Sequence, residues 1–369
     1  MATLALLIMI SSFCSIIFQP LLGSLSDRVG KKKPMVLGGI LASLGPFLIA
    51  MANDWVWLIP GTILNALDQS LWPTRQALFS DSIDVEKRGT AFATFFTIFG
   101  ITSSFFPAIG GILLDQAGLD MGFRLGLIYQ GTARIVQSLL NAKYIKEEKQ
   151  LSERVVQPAS SGYGLRFSFV RRFFEDIVEP FRGNKTLQVM IIGQGLAAFG
   201  MGLVGRFTVV YATDFIGLSK TGWGLISSVS NFVNTIVRIP LGAVADKYGR
   251  TRCIIISGFI MPIYDILFFH AQTFMQVLIL SIFVSIGRSL GEPSRQALMI
   301  DVTPTRERGR LFGTFGSVSN IFRFPSPSVG AFLWETNGPI YTFYLAGAVR
   351  LSAALLMLAI LREPKKRET

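Results

Sequence analysis

The sequence predicts an all-α polytopic membrane protein built of two pseudo-symmetric helical bundles, and three observations carry that prediction. Half of the 369 residues are apolar, only 16% are charged and the mean hydropathy is +0.49, a balance outside the range of soluble domains. Eleven apolar stretches are each long enough to cross the membrane, since about 20 residues are needed for about 30 Å of hydrocarbon. The chain also repeats itself at a distance of about 220 residues, a period too long for a solenoid and suited to the duplicated bundles of a membrane transporter.

The repeat is specific. Gly23-Ser-Leu-Ser-Asp27-Arg28-Val-Gly30-Lys31-Lys32 returns as Gly242-Ala-Val-Ala-Asp246-Lys247-Tyr-Gly249-Arg250. Pro73-Thr-Arg75-Gln76-Ala77-Leu78-x-x-Asp81 returns as Pro293-Ser-Arg295-Gln296-Ala297-Leu298-x-x-Asp301. Arg88-Gly89 returns as Arg308-Gly309 and Pro107-x-x-Gly110 as Pro327-x-x-Gly330, so the register holds through most of each half.

Taken in order, the first apolar stretch, 1–22, lacks a charged leader and runs straight into the repeated motif, which reads as a span rather than a signal peptide. Spans at 34–52, 56–80, 90–114 and 122–142 complete an N-terminal bundle, residues 1–142. Residues 143–186 form a cytoplasmic linker. It opens on Lys143, Lys146 and Lys149, crosses a Ser/Gly stretch at 159–164, and ends in a Phe/Arg-rich segment amphipathic enough to lie at the membrane surface. The C-terminal bundle, 187–361, has spans at 187–211, 222–241, 252–270, 274–300, 310–333 and 339–361, followed by a basic tail, 362–369. Eleven spans are one short of a symmetric count. Since 187–211 precedes 222–241, the repeat predicts a further helix ahead of 1–22.

Lysines and arginines set the orientation. Loops 23–33, 81–89, 143–186, 242–252 and 301–310, with the tail, hold twenty-five of the thirty-five. That side, and with it the C-terminus, is expected to be cytoplasmic. The net charge of +12 is therefore a topology signal and a means of contact with anionic lipid rather than a sign of nucleic-acid binding. Cys14 and Cys253 lie in unrelated positions and predict no disulfide. The one histidine, His270, sits at the outer end of a span, and no metal-ligand spacing and no nucleophile constellation is present. The sequence thus predicts neither cofactor nor metal nor enzyme activity. It holds no Gly-x-x-x-x-Gly-Lys-[Ser/Thr] phosphate loop, so transport by this chain would draw on a gradient.

The Gly-x-Leu-Ser-Asp-Arg-x-Gly-Lys-Lys loop, with its second copy in the matching place, resembles the loop signature of the major facilitator superfamily, and the resemblance covers essentially the whole chain. It implies two six-helix bundles, with the first helix of twelve missing here. It further implies a conformational latch of Gly23, Asp27, Arg28, Gly30 and Arg75, with Gly242, Asp246, Lys247, Gly249 and Arg295 as the pseudo-symmetric set. Asp27 would hold the opposite bundle near the start of the span at 310, with Arg75 as its neighbour. In residue terms, Gly23 and Gly30 suit a tight reversal and close helix approach. Asp27 suits helix N-termini and cations, and Lys31–Lys33 suit lipid headgroups.

The resemblance also implies that 56–80, 187–211 and 274–300 line a central cavity. Asp68 and Arg288 are then counterparts, each about 13 residues and hence about 20 Å from the cytoplasmic end of its helix, near the bilayer midplane. Asp68, Trp72 and Arg75 on one helix, and Arg288, Glu292 and Arg295 on the other, follow at i, i+4 and i+7. A charge at the centre of a span costs at least ~2.5 kcal/mol unless paired or hydrated. Asp68 or Glu292 is therefore a candidate proton carrier and Trp72 a candidate contact for an aromatic or cationic substrate, the alternative being a static pair of Arg288 with Glu292 or Asp68. Arg206 is a candidate contact for an anionic group. Arg238 falls to the latch, Arg134 and Arg350 to structural support, and Asp265 and Arg323 receive no role.

Phe106-Pro107-Ala-Ile-Gly110-Gly111 is similar to the Gly-Pro-x-x-Gly-Gly helix-packing segment of exporters, with Phe106 in place of the first glycine. Gly61 stands where such exporters carry an arginine. The expected function is secondary active transport by alternating access, proton-coupled and exporting small amphiphilic compounds from the cell across the plasma membrane, by a monomer. Two alternatives are an importer of a sugar, organic anion or other metabolite, and a transporter-like sensor that moves nothing. Crosslinking that reports alternation of access separates transporter from sensor.

Overall fold

The spans fold as helices because a continuous apolar run of about 20 residues can satisfy its backbone groups within itself in hydrocarbon only as a helix. The computed structural model of the chain describes residues 2–83, 88–145, 185–302 and 308–362. Among these residues there are fourteen α-helices, one 3-10 turn (Trp55–Trp57) and no strand. They are α1 (Ala2–Val29), α2 (Lys32–Ala50), α3 (Leu58–Ser70), α4 (Trp72–Asp81), α5 (Arg88–Ala117), α6 (Leu119–Tyr144), α7 (Lys185–Val204), α8 (Phe207–Asp214), α9 (Lys220–Tyr248), α10 (Arg250–Phe269), α11 (Phe274–Asp301), α12 (Arg308–Arg323), α13 (Ser326–Asn337) and α14 (Pro339–Ile360). The linker at 146–184, the tail at 363–369 and the side chains of Asp27 and Arg28 lie outside the described residues.

Each predicted span corresponds to one helix or to one pair interrupted by a short break. α3 and α4 are separated at Leu71, α7 and α8 at Gly205–Arg206, and α12 and α13 at Phe324–Pro325. Pro73 stands beside the first break, but its counterpart Pro293 is accommodated within unbroken α11, so the missing N–H of a proline does not by itself set the break. Seven helical stretches are long and apolar enough to span on length and composition alone. The other predicted spans are either broken or, like α6 and α9, carry several charges.

The structure divides into two compact units, one of Thr3–Phe96 with Gln116–Phe169, the other of Val170–Thr369 with Thr97–Asp115 and Met1–Ala2. Residues of 97–115, which the sequence groups with the N-terminal bundle, meet α9 within the second unit at Gly100, Ala108, Gly111 and Asp115. The repeat is visible in the packing of each unit. In the first, α2 packs against α3 and α6; in the second, its counterpart α10 packs against α11 and α14. Turn glycines match as well: Gly30 and Gly249 (φ +88° and +102°), then Gly118 and Gly338 (φ +79° and +94°), occupy a left-handed conformation that only glycine enters cheaply.

Between apolar helices in lipid, close packing rather than water exclusion holds the seams, and small residues make it possible. Gly45 and Gly61 bring α2 and α3 together so closely that a Cβ on Gly61 would sit 2.8 Å from the Gly45 carbonyl oxygen and against Ile49. This position therefore has no room for the arginine that the resemblance to exporters would imply there. Gly195 lies on the Phe322 ring, Gly202 on Ser326 and Arg323, and Gly330 on the Leu203 carbonyl, closing α7 onto α12 and α13. At one end of this unit Leu187, Met190, Ile254, Leu298, Phe315 and Met357 form a buried cluster. Towards the other, Tyr211 stacks with Phe215 and Phe269, meets Phe343 edge-on, and donates to the Phe269 carbonyl at 2.8 Å.

Candidate functional site

In the first unit the midspan charges converge. Asp68, near the end of α3, accepts from Arg75 Nη2 across the helix break at 2.5 Å, and its other oxygen lies 3.2 Å from Arg134 Nη2 on α6. Arg134 Nη1 also donates to Asn65, one turn before Asp68, at 2.6 Å. All three charged side chains are less than a fifth exposed. Two glycines make the arrangement possible: Gly38 receives Leu71, the residue at the break, and Gly39 lies against Ser138, where a Cβ would come within 3.9 Å of Arg75 Nη2. Two guanidinium groups thus share one carboxylate, and one unit of positive charge remains. Trp72 begins α4 with its side chain partly exposed.

The structure corrects the pairings read from the sequence. Asp68 is held by Arg75 and Arg134 within its own unit. Arg75 therefore faces Asp68, at a distance of two turns along the helix, and Arg134 is its ion partner rather than mere support. Glu292 does not pair with Arg288; its Oε2 lies 3.9 Å from Arg238 Nη2, a contact that both side chains make while half exposed. Arg288 is exposed and makes no hydrogen bond or ion pair among the described residues.

In the second unit the counterpart of Arg134 is Arg350, but its carboxylate comes from a different helix. Arg350 Nη1 donates to Asp265 Oδ1 on α10 at 2.9 Å and lies 2.8 Å from Oδ2, which is out of line and keeps no hydrogen bond. Asp265 is fully buried, and Arg350 is pressed along its stem against Gly200. This pair was missed in the sequence, where both residues were visible but 85 positions apart. Only the matched places of Arg134 and Arg350, each in need of an anion, could have indicated it.

The latch residues divide in the same way. Gly30 makes the reversal expected of it and Gly249 repeats it, while among the described residues a Cβ on Gly23 or Gly242 would meet nothing within 4 Å. Asp246 does not meet Arg295. It accepts from Arg250 at 3.1 Å, and the same arginine reaches Asp301, so one guanidinium ties the ends of α9 and α11 to the start of α10. Arg295 lies six residues, about 9 Å, deeper than Asp301 and donates instead to Gln194 on α7. Lys247 lies over the Tyr248 ring.

Of the exporter-like segment, Gly111 packs on the backbone of Lys220 and Thr221, and the Pro107 carbonyl packs on Gly224, while Gly110 has open space around it. Pro107 has no N–H and so frees the Ser103 carbonyl. Asn231 Nδ2 takes up that carbonyl at 3.3 Å, and Ser228 Oγ accepts from the Ala108 N–H at 3.0 Å. Asp115 accepts from the first N–H groups of α9, Lys220 and Thr221, satisfying donors that a helix start leaves open. Among the described residues no group of three or more His, Cys, Asp or Glu side chains is placed to hold a metal ion.

Comparison with known proteins agrees with this architecture. The Multi-drug resistance efflux pump PmrA of Streptococcus pneumoniae serotype 4 is 23% identical over 311 residues, 83% of this chain and 73% of its own. The Quinolone resistance protein NorA of Staphylococcus aureus is 25% identical over 186 residues, about half of either chain (50% and 47%). The inward-open xylose transporter XylE from E. coli superimposes with a TM-score of 0.70 at 15% identity, over 99% of this chain and 87% of that one. A D-xylose-proton symporter structure gives 0.72 at 14% identity, over 98% and 88%. The profile of the Major Facilitator Superfamily matches residues 1–185 and 190–369. With helical bundles throughout and membrane-length apolar helices in both units, the chain belongs to the major facilitator superfamily and is a membrane-embedded transporter of small molecules.

Proposed function

We propose that the protein is a proton-coupled exporter of small amphiphilic compounds, working by alternating access in the plasma membrane with its C-terminus in the cytoplasm. The observation that carries the coupling is Asp68, shared between Arg75 and Arg134 at midspan. Protonation of that carboxylate releases two arginines at once. Arg75 is thereby freed on the far side of the break at Leu71, so α4 can turn against α3; deprotonation recaptures it. The loss of a buried charge partner is a large perturbation, on the order of 3–5 kcal/mol, enough to shift a two-state equilibrium between inward and outward forms. Efflux is supported by the relatives named for multidrug efflux and quinolone resistance. The monomeric state and the absence of a cofactor belong to the same reading.

A second reading, import of an organic anion or other metabolite, draws on exposed Arg206 and Arg288. The test is accumulation of cationic, neutral and anionic fluorescent amphiphiles in energised cells making the protein or none. Lower accumulation of at least one dye, abolished by a protonophore, is expected. Higher accumulation would favour import, and equal accumulation of every dye would remove the exporter reading.

A further inference from the structure

We propose that Arg206 and Arg323 together form an anion site in the second unit, which takes an acidic group (carboxylate, sulfonate or phosphate) carried by a small amphiphilic cargo. The proposal rests on the reading of the chain as a carrier of amphiphiles and names the chemistry that one part of it recognises.

The two arginines stand at helix breaks that face each other. Arg206 occupies the break between α7 and α8, and Arg323 ends α12 just before the break that leads to α13. Gly202, one turn before Arg206, packs against Ser326, and a Cβ there would lie 3.1 Å from Arg323 Cγ. Arg206 follows Gly202 by four residues, just past the last turn of α7, which Gly205 closes onto Met201, and so stands at the end of the seam that the stem of Arg323 lines. The two charges are close enough to repel each other. Gly195, Gly202 and Gly330 let the backbones meet along this seam, so the positions are set by rigid packing rather than by loops.

Each of the other anions of this unit at midspan is already engaged. Asp265 is taken by Arg350 and Glu292 by Arg238. Among the described residues Arg323 has only the neutral Asn320 as a side-chain partner, at 2.9 Å, and Arg206 has no hydrogen bond or ion pair. Two cations at the same seam within membrane-spanning segments, without a carboxylate, are unfavourable unless an anion joins them. The helices that follow add to the field: α8 and α13 both begin without a side-chain cap, and helix N-termini carry partial positive charge. Both side chains keep exposed surface, while the stem of Arg323 is packed on Gly202 and its charge is partly desolvated. A guanidinium pair binds carboxylate, sulfonate and phosphate oxygens through charge-assisted hydrogen bonds.

The test is equilibrium binding to the full chain in phosphatidylcholine nanodiscs, with empty nanodiscs as the blank. The probes are 8-anilino-1-naphthalenesulfonate and its uncharged parent N-phenyl-1-naphthylamine, which differ only in the acidic group. Arg206→Gln and Arg323→Gln are each expected to weaken sulfonate binding by about tenfold or more while leaving the neutral dye unchanged, and Arg→Lys at either place restores part of the loss. The proposal is overturned if wild type does not prefer the sulfonate, if both glutamine variants retain its affinity, or if the neutral dye is lost in parallel. Displacement of the sulfonate by a small fraction of phosphatidylglycerol would assign the anion to a lipid headgroup and overturn the cargo assignment. Because binding needs no gradient, arginine-dependent binding without movement of dye in cells would defeat the exporter reading alone, whereas dye export insensitive to both substitutions would defeat the anion site alone.

Discussion

Asp68 and Arg75 meet at 2.5 Å across the break at Leu71, so a single ion pair bridges the two pieces of one membrane-spanning helix. The same carboxylate reaches Arg134 on α6. The pair thus joins the least continuous element of the first unit to one of its longest, and its making and breaking change how the unit holds together.

Substitution of Arg134 separates the two contacts. Arg134→Gln keeps a donor for Asn65 but removes the charge beside Asp68, leaving Arg75 as the single ion partner. Substrate binding is expected to persist within a few-fold, while the pH at which transport is half-maximal shifts upward, because a carboxylate that loses a cation holds its proton to higher pH. A pH profile of transport by Arg134→Gln beside wild type checks this; an unchanged profile would count against the shared carboxylate.

The Asp265–Arg350 pair is buried and predicts non-additive stability. Asp265→Leu or Arg350→Met alone strands a charge and is expected to cost ~3–5 kcal/mol, whereas the double substitution costs less than either. Thermal melting of the purified protein in detergent gives the comparison. Additive losses would show that the two residues do not depend on each other.

Gly61 explains a departure that the sequence shows but does not account for. With the Gly45 carbonyl 2.8 Å from a Cβ placed there, Gly61→Ala is expected to cost ~1–3 kcal/mol by overpacking, and Gly61→Arg to abolish folding. Yield and melting temperature of the two variants test the order; a well-folded Gly61→Arg protein would contradict the packing of α2 on α3.

The network at Arg250 predicts a different separation of stability and function. Asp246 and Asp301 are largely exposed, 67% and 44%, so each change to Asn should alter stability by less than ~1 kcal/mol. Transport by the double variant should fall further than by either single one, since one arginine serves both. Equal transport by all three would reduce this cluster to a topology signal.

What the sequence reveals and what it hides follow from one distinction. Span positions, the two halves and the turn glycines Gly30 and Gly249 were legible because the period of the repeat and the length of an apolar run fix them along the chain. Partners across helices were not, since they depend on helix rotation. Arg134 and Arg350 hold matched places, yet one takes its carboxylate from α3 and the other from α10. Arg295 lies in a repeated motif with Asp301, but six residues of helix turn it towards Gln194. The breaks at Leu71 and Gly205–Arg206 were not legible either: Pro73 stands beside the first, but its counterpart Pro293 sits inside unbroken α11.

The most direct test of Asp68 as the proton switch is substrate-driven proton movement in proteoliposomes containing a trapped pH indicator, using a dye that cells making the protein extrude. Wild type should dissipate an imposed pH gradient when the dye is added. Asp68→Asn should bind the dye and exchange it across the membrane without a gradient, yet move no protons. Proton movement by Asp68→Asn at the wild-type rate would contradict the account.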